Sequence, residues 1–133
     1  MIHAALWVLY VRDQEAAARF YEAVLAQAPS LHVPGMTEFS LPGGAVLGLM
    51  PEAGIKRLLG ETLPDPAAAS GVPRAELYLR VTDALAYHRR ALAAGARELS
   101  GLEQRSWGDC AAYSLDPDGH VLAFASPAAS PAR

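Results

Sequence analysis

Residues 6–25 read "LWVLYVRDQEAAARFYEAVL", and a change of pattern inside this stretch decides the fold. The segment 4–13, "AALWVLYVRD", is rich in β-branched and aromatic residues, the composition of a strand. Asp13 follows where a helix N-cap belongs, its carboxylate able to accept from the free N–H groups of a first turn. Beyond it, Ala17, Phe20, Tyr21, Val24 and Leu25 recur at helical spacing, so residues 14–27 predict an amphipathic helix. Three short extended pieces come next, at 30–33, 37–41 and 45–50, with "PGG" at 42–44 turning the last two into a hairpin.

The same order returns 70 residues later. "AELYLRVTD" (75–83) is again a strand ending in a capping Asp, and "ALAYHRRALAAGA" (84–96) is again a helix, stopped by Gly95. "RELS" (97–100) is a short strand, and "CAAYSL" (110–115) with "HVLAFA" (120–125) makes a hairpin around "DPDG". An internal repeat of βαβββ units is the main organisational fact of the chain. We expect one α+β domain over 1–128: a module at 1–50, a Pro/Gly-punctuated linker at 51–73 with a short helix near Ile55–Leu59, a second module at 74–128, and a flexible tail at 129–133. One helix covers one face of each module's sheet. Two modules then form a curved mixed sheet around a cleft, with the helices on the outer face; such a cleft is the natural place for a ligand.

Composition narrows the function classes. The chain has 133 residues, 52% hydrophobic and 19% charged, as in a globular domain with a real core. The net charge is −3 and no basic run is longer than Arg89-Arg90, so nucleic acid is not an expected partner. No apolar run approaches the roughly 20 residues of a membrane helix, and the N-terminus lacks the basic start of a signal peptide. A cytoplasmic location is the expectation. Cys110 is the single cysteine, which excludes a disulfide framework or a thiolate metal cluster within one chain.

The strand–Asp–helix–"FY" pattern of residues 6–25, its counterpart "ELYLRVTDALAYHRRALAAGA", and "YSLDPDGHVLAFAS" together resemble the vicinal oxygen chelate superfamily. Glyoxalase I, extradiol dioxygenases, fosfomycin-modifying enzymes and bleomycin-resistance proteins belong to it. The resemblance implies up to four metal ligands, two lying seven residues before each capping Asp and two lying seven residues after the start of each hairpin turn. In this chain those positions hold Leu6, Glu76, Gly48 and Ala123. A divalent metal needs at least three His or carboxylate groups converging on it, and only Glu76 is one. His3, His32, His88 and His120 are read as surface, strand-edge or capping residues, not replacements. No metal and no other cofactor is therefore expected.

Strand alternation sets the cleft lining. If Leu6 and Glu76 face inward, so do Val8, Tyr10, Tyr78 and Arg80; Gly48 brings Val46 and Met50, and Ala123 brings Val121. Trp7, Leu9, Leu77, Leu79, Leu122 and Phe124 then face the helices as core. Trp107-Gly108 ahead of the last hairpin resembles the bleomycin-resistance branch, in which this loop borders the ligand cleft and no metal is used. Trp107 either stacks on a flat or charged ligand or plugs the cleft or a dimer contact. Glu76, placed on a largely buried face, either serves the ligand, as a recognition group or general base, or pairs with Arg80, Arg105 or a second subunit. The expected ligand-binding residues are Tyr10, Met50, Glu76, Tyr78, Arg80 and Trp107, with no dedicated catalytic residue.

Two functions follow from the resemblance. One is a metal-free binding protein that sequesters a small organic molecule, aromatic or cationic, in the manner of antibiotic-resistance proteins. The alternative is a metal-dependent glyoxalase- or dioxygenase-type enzyme, against which the missing ligands weigh. The resemblance also implies a homodimer, with module pairing either within or between chains.

Overall fold

The computed structural model describes residues 1–69 and 71–128; the tail expected at 129–133 lies outside the described residues. The chain divides into two compact units, Met1–Ser70 and Gly71–Arg133, and the architecture is α+β. No helix among the described residues is long and apolar enough to cross a membrane.

The first unit holds strand β1 (Ala5–Val11), helix α1 (Gln14–Leu25), β2 (Leu31–Val33), β3 (Met36–Ser40), β4 (Ala45–Pro51) and α2 (Glu52–Leu59). Its mixed sheet has the order β1-β4-β3-β2, with β1 parallel to β4 and the other pairs antiparallel. Asp13 caps α1, its Oδ1 accepting from Ala16 N at 3.0 Å. All five apolar positions expected on the buried stripe of α1 are buried, Val24 completely. They meet Phe39, Leu47 and Leu49 of the sheet, and Tyr21 stands 6.5 Å from Phe39, ring to ring. The "PGG" turn is a 3-10 turn over Pro42–Gly44, with Gly43 and Gly44 at φ of 75° and 79°. Positive φ there is what glycine supplies without strain.

Two expectations change in this unit. The linker helix is longer than 55–59 and starts at Glu52, directly off β4. Trp7, read as core, is 77% exposed. Alternation places it on the side of Leu9 and the fully buried Val11, but it lies near the open N-terminal end of β1, where burial along the strand falls away.

The second unit repeats the plan. It holds β5 (Glu76–Arg80), α3 (Ala84–Ala93), β6 (Arg97–Gln104), β7 (Asp109–Leu115) and β8 (Val121–Pro127), in the sheet order β5-β8-β7-β6. Asp83 caps α3 through Ala86 N at 3.1 Å, and Gly95 ends the turn at φ 115°. The "DPDG" turn is closed by Asp116, buried, whose Oδ1 accepts from Asp118 N (2.9 Å) and His120 N (2.8 Å). Phe124 and Leu122 are fully buried under α3, where Tyr87 packs on Phe124 with ring centroids 5.4 Å apart.

Here β6 runs to Gln104, past the expected end at 100. Its pairing with β7 slips twice, between Glu98 and Ser100 and between Ser100 and Glu103, which is the bulged geometry that Gly101 permits. Arg105 fills the irregularity: Nη2 donates to Ser100 Oγ, Gly101 O and Ala111 O at 2.8, 3.1 and 2.8 Å. His88 also departs from expectation. It is buried at 2% exposure, between Ala84 and Ala91 on the inner stripe of α3, and its Nε2 lies 2.8 Å from Glu98 Oε2. A buried imidazole needs such a partner, because an unpaired polar group in the core is costly.

Candidate functional site

The pairing registers fix which side chains share a face. In the first unit Leu6, Val8 and Tyr10 stand beside Val46, Gly48 and Met50, the side away from α1. In the second unit Glu76 and Tyr78 stand beside Val121 and Ala123, and Arg80 beside Ala125. Across β8, Ala123 and Ala125 pair in turn with Tyr113 and Ala111 of β7. The helix-free face of the second unit is therefore a floor of alanines with aromatic and cationic side chains around it.

On that face four residues join. Tyr78 Oη donates to Asp109 Oδ2 at 2.6 Å, and Arg80 Nε donates to the same oxygen at 3.1 Å. Trp107 Nε1 donates to Tyr78 Oη at 2.9 Å. The Arg80 guanidinium lies 5.5 Å from the centre of the Tyr78 ring. Tyr78 and Arg80 reach Asp109 across β8 because Ala123 and Ala125 put only methyl groups in the way. Trp107 is brought in by a tight turn between β6 and β7, where Gly108 adopts φ 98° and Arg105 N bonds Asp109 O at 2.7 Å.

The electrostatics are settled by burial. The Asp109 side chain is 10% exposed, the Arg80 side chain 68%. The carboxylate is enclosed and spent on two donors, while the guanidinium edge and the half-exposed indole face outward. Burial and the Asp109 carboxylate raise the Tyr78 phenol above the ordinary tyrosine value, with the Trp107 N–H acting the other way. Tyr78 thus keeps its proton and acts as a donor. The folded chain holds this proton more tightly than the unfolded chain, so the contribution to stability is intact below the ordinary value of 10.0 and is lost as pH rises through and beyond it. In an ultraviolet phenolate titration, Tyr78→Phe takes one phenolate out of the late part of the curve; an unchanged late amplitude in this variant contradicts the arrangement.

Of the six residues expected to bind a ligand, Tyr78, Arg80 and Trp107 converge on Asp109, which the sequence reading did not single out. Tyr10 and Met50 are register partners in the first unit. Glu76 is exposed and has no partner among the described residues, so neither proposed ion pair forms: Arg80 is held by Asp109, and Arg105 by Glu103 and the β6 irregularity.

The residues do not fit a family-type metal. Leu6, Gly48 and Ala123 have no donor atom, and among the described residues no three His, Cys, Asp or Glu side chains gather. At Gly48 the space is also taken. A Cβ there would meet Val8 Cγ2 at 3.2 Å and Met36 Sδ at 3.3 Å. At Ala123, a longer side chain would enter the path by which Tyr78 crosses β8. A groove of about 520 Å³ beside α2, lined by Arg12, Glu52, Lys56 and Arg57 among others, offers less. Its Lys56 ammonium is already spent on the carbonyls of Gly60 and Leu63.

Comparison with known proteins agrees with this layout. The family model of the glyoxalase-like domain matches residues 7–125. An uncharacterized protein of Mycobacterium bovis is 30% identical over 128 residues, covering 90% of this chain and 80% of the relative. Among solved structures, a glyoxalase-related enzyme from Fulvimarina pelagi superposes with a TM-score of 0.78 at 25% identity, over 95% of this chain and 88% of the other. A glyoxalase/bleomycin resistance protein/dioxygenase family enzyme from Burkholderia phytofirmans has the same fold, with a TM-score of 0.78 at 18% identity over 92% and 97%. The chain belongs to the glyoxalase-like domain family, within the vicinal oxygen chelate superfamily.

Proposed function

We propose that this protein binds a small, flat organic molecule without a metal, on the helix-free face of its second unit, in the manner of the bleomycin-resistance branch. The observation that carries the reading is the chain of hydrogen bonds from Trp107 through Tyr78 to Asp109. It holds a half-exposed indole in a fixed orientation beside a tyrosine and a cation. A rigid aromatic platform loses little conformational entropy when a ring stacks on it, which is how such a surface gains affinity. Three of the four positions that hold metal in enzymes of the superfamily are Leu6, Gly48 and Ala123 here, leaving Glu76 as a single carboxylate.

The test is a titration of chelator-treated protein with flat organic compounds, read by Trp fluorescence. Saturable binding near one per chain is expected, unchanged by EDTA, and weakened on the order of tenfold or more in Trp107→Ala, the loss typical of a central aromatic anchor. The chain has one other tryptophan, Trp7, and Trp7→Ala is expected to bind normally. Binding that needs added Zn²⁺, Ni²⁺, Mn²⁺ or Fe²⁺, or that survives Trp107→Ala intact, overturns the reading.

A further inference from the structure

We propose that the molecule bound on this face is a planar anion, its carboxylate or similar oxyanion held by the two terminal nitrogens of Arg80 and its ring lying on Trp107. The inference rests on the binding role argued above and names the chemical class of ligand.

Three observations carry it. First, Asp109 engages Arg80 through Nε alone, at 3.1 Å. The two terminal nitrogens have no partner among the described residues, and the side chain is 68% exposed. A guanidinium tethered at Nε keeps its outer edge as a two-pronged donor, the geometry that matches a carboxylate. Second, the guanidinium is oriented from two sides, by Asp109 and by the Tyr78 ring 5.5 Å away. Such tethering removes much of the rotamer freedom that makes a free surface arginine a weak anion site. Third, the one carboxylate within the cluster is turned inward. Asp109 is enclosed, with both donors on one oxygen, and presents little acceptor surface to an approaching cation. The next acid on this strand face is Glu76, four residues from Arg80 and so about 13 Å away along an extended strand. At the Arg80 end of the platform a cationic group is repelled by the guanidinium, while a planar anion meets a pair of donors.

Three probes of one shape separate the possibilities: 2-naphthoate, its neutral amide, and 2-(aminomethyl)naphthalene, which is cationic. Each is titrated by calorimetry into the full chain and into Arg80→Gln, Arg80→Lys and Trp107→Ala. The naphthoate is expected to bind tighter than the amide on the order of tenfold, the size of a charge-assisted pair at a solvent-exposed edge. Arg80→Gln abolishes that preference, so that the acid and the amide bind it with equal affinity. Arg80→Lys restores only part of it, because an ammonium lacks the planar fork. The proposal is overturned if the amide or the amine binds as well as the acid, or if the preference survives Arg80→Gln. In either case, binding lost in Trp107→Ala leaves the proposed function standing. If no probe binds, or all bind equally to Trp107→Ala, the site itself is wrong and both readings fall.

Discussion

Replacing Phe124 by alanine lowers the unfolding free energy of the second unit by about 3–5 kcal/mol, the cost of removing a large ring from a packed core. Phe124 lies on β8, an inner strand, with no exposed surface, under α3 and against Tyr87. The cavity left behind has walls of helix and sheet that cannot collapse onto it. A loss of this size is a large share of the 5–15 kcal/mol total of an ordinary domain. Urea unfolding followed by circular dichroism measures it, and Phe124→Leu recovers part of the loss because most of the volume returns. A change below about 1 kcal/mol for the alanine variant would mean that α3 does not pack on this ring.

Asp109→Ala carries the second large effect, and it falls on both stability and site. Asp109 takes two hydrogen bonds on one enclosed oxygen, from Tyr78 and from Arg80. Without it, the Tyr78 hydroxyl loses its acceptor, Arg80 loses its tether, and the Trp107 indole is bonded to a phenol that is no longer fixed. Stranding a donor in a partly buried place costs about 1–3 kcal/mol. Most of that cost is the tyrosine's, since the Arg80 side of the pair is solvent-exposed and contributes little. Asp109→Asn is therefore expected to be much milder in unfolding experiments, because an amide oxygen still accepts from Tyr78. It should nonetheless bring the Tyr78 phenol back toward its ordinary titration range, the negative charge being gone. Equal destabilisation by Asn and Ala would show that charge, not hydrogen bonding, holds the cluster.

The division between what was legible in the chain and what was not follows the range of the interactions. The capping aspartates, the buried stripe of α1 and the Asp116 turn depend on partners within a few residues, so residue type and spacing announce them. The repeat announces the two βαβββ units for the same reason. His88 was readable as well: it shares a stripe with Ala84 and Ala91, three buried positions at helical spacing, though a histidine there looked like surface. The longer β6 was hidden because Gly101 and a bulge break the alternation on which strand reading relies.

The site divides in the same way. Alternation along β5 puts Glu76, Tyr78 and Arg80 on one face, and the loop pattern marks Trp107 as a candidate. Asp109 carries no local signal, since an aspartate after a glycine turn reads as part of the turn. Its role comes from pairings between strands that place residues 78 and 80 within hydrogen-bond reach of a residue about thirty positions later. The same pairings leave Glu76 outside the cluster, and at Ala123 a methyl group stands where the resemblance implies a carboxylate. The sequence by itself determined the elements, their caps and the faces of the strands, because these rest on backbone periodicity and neighbouring hydrogen bonds. Only the tertiary structure decided which faces' polar groups meet, because that depends on strand order and register, to which each strand's own residues contribute only half.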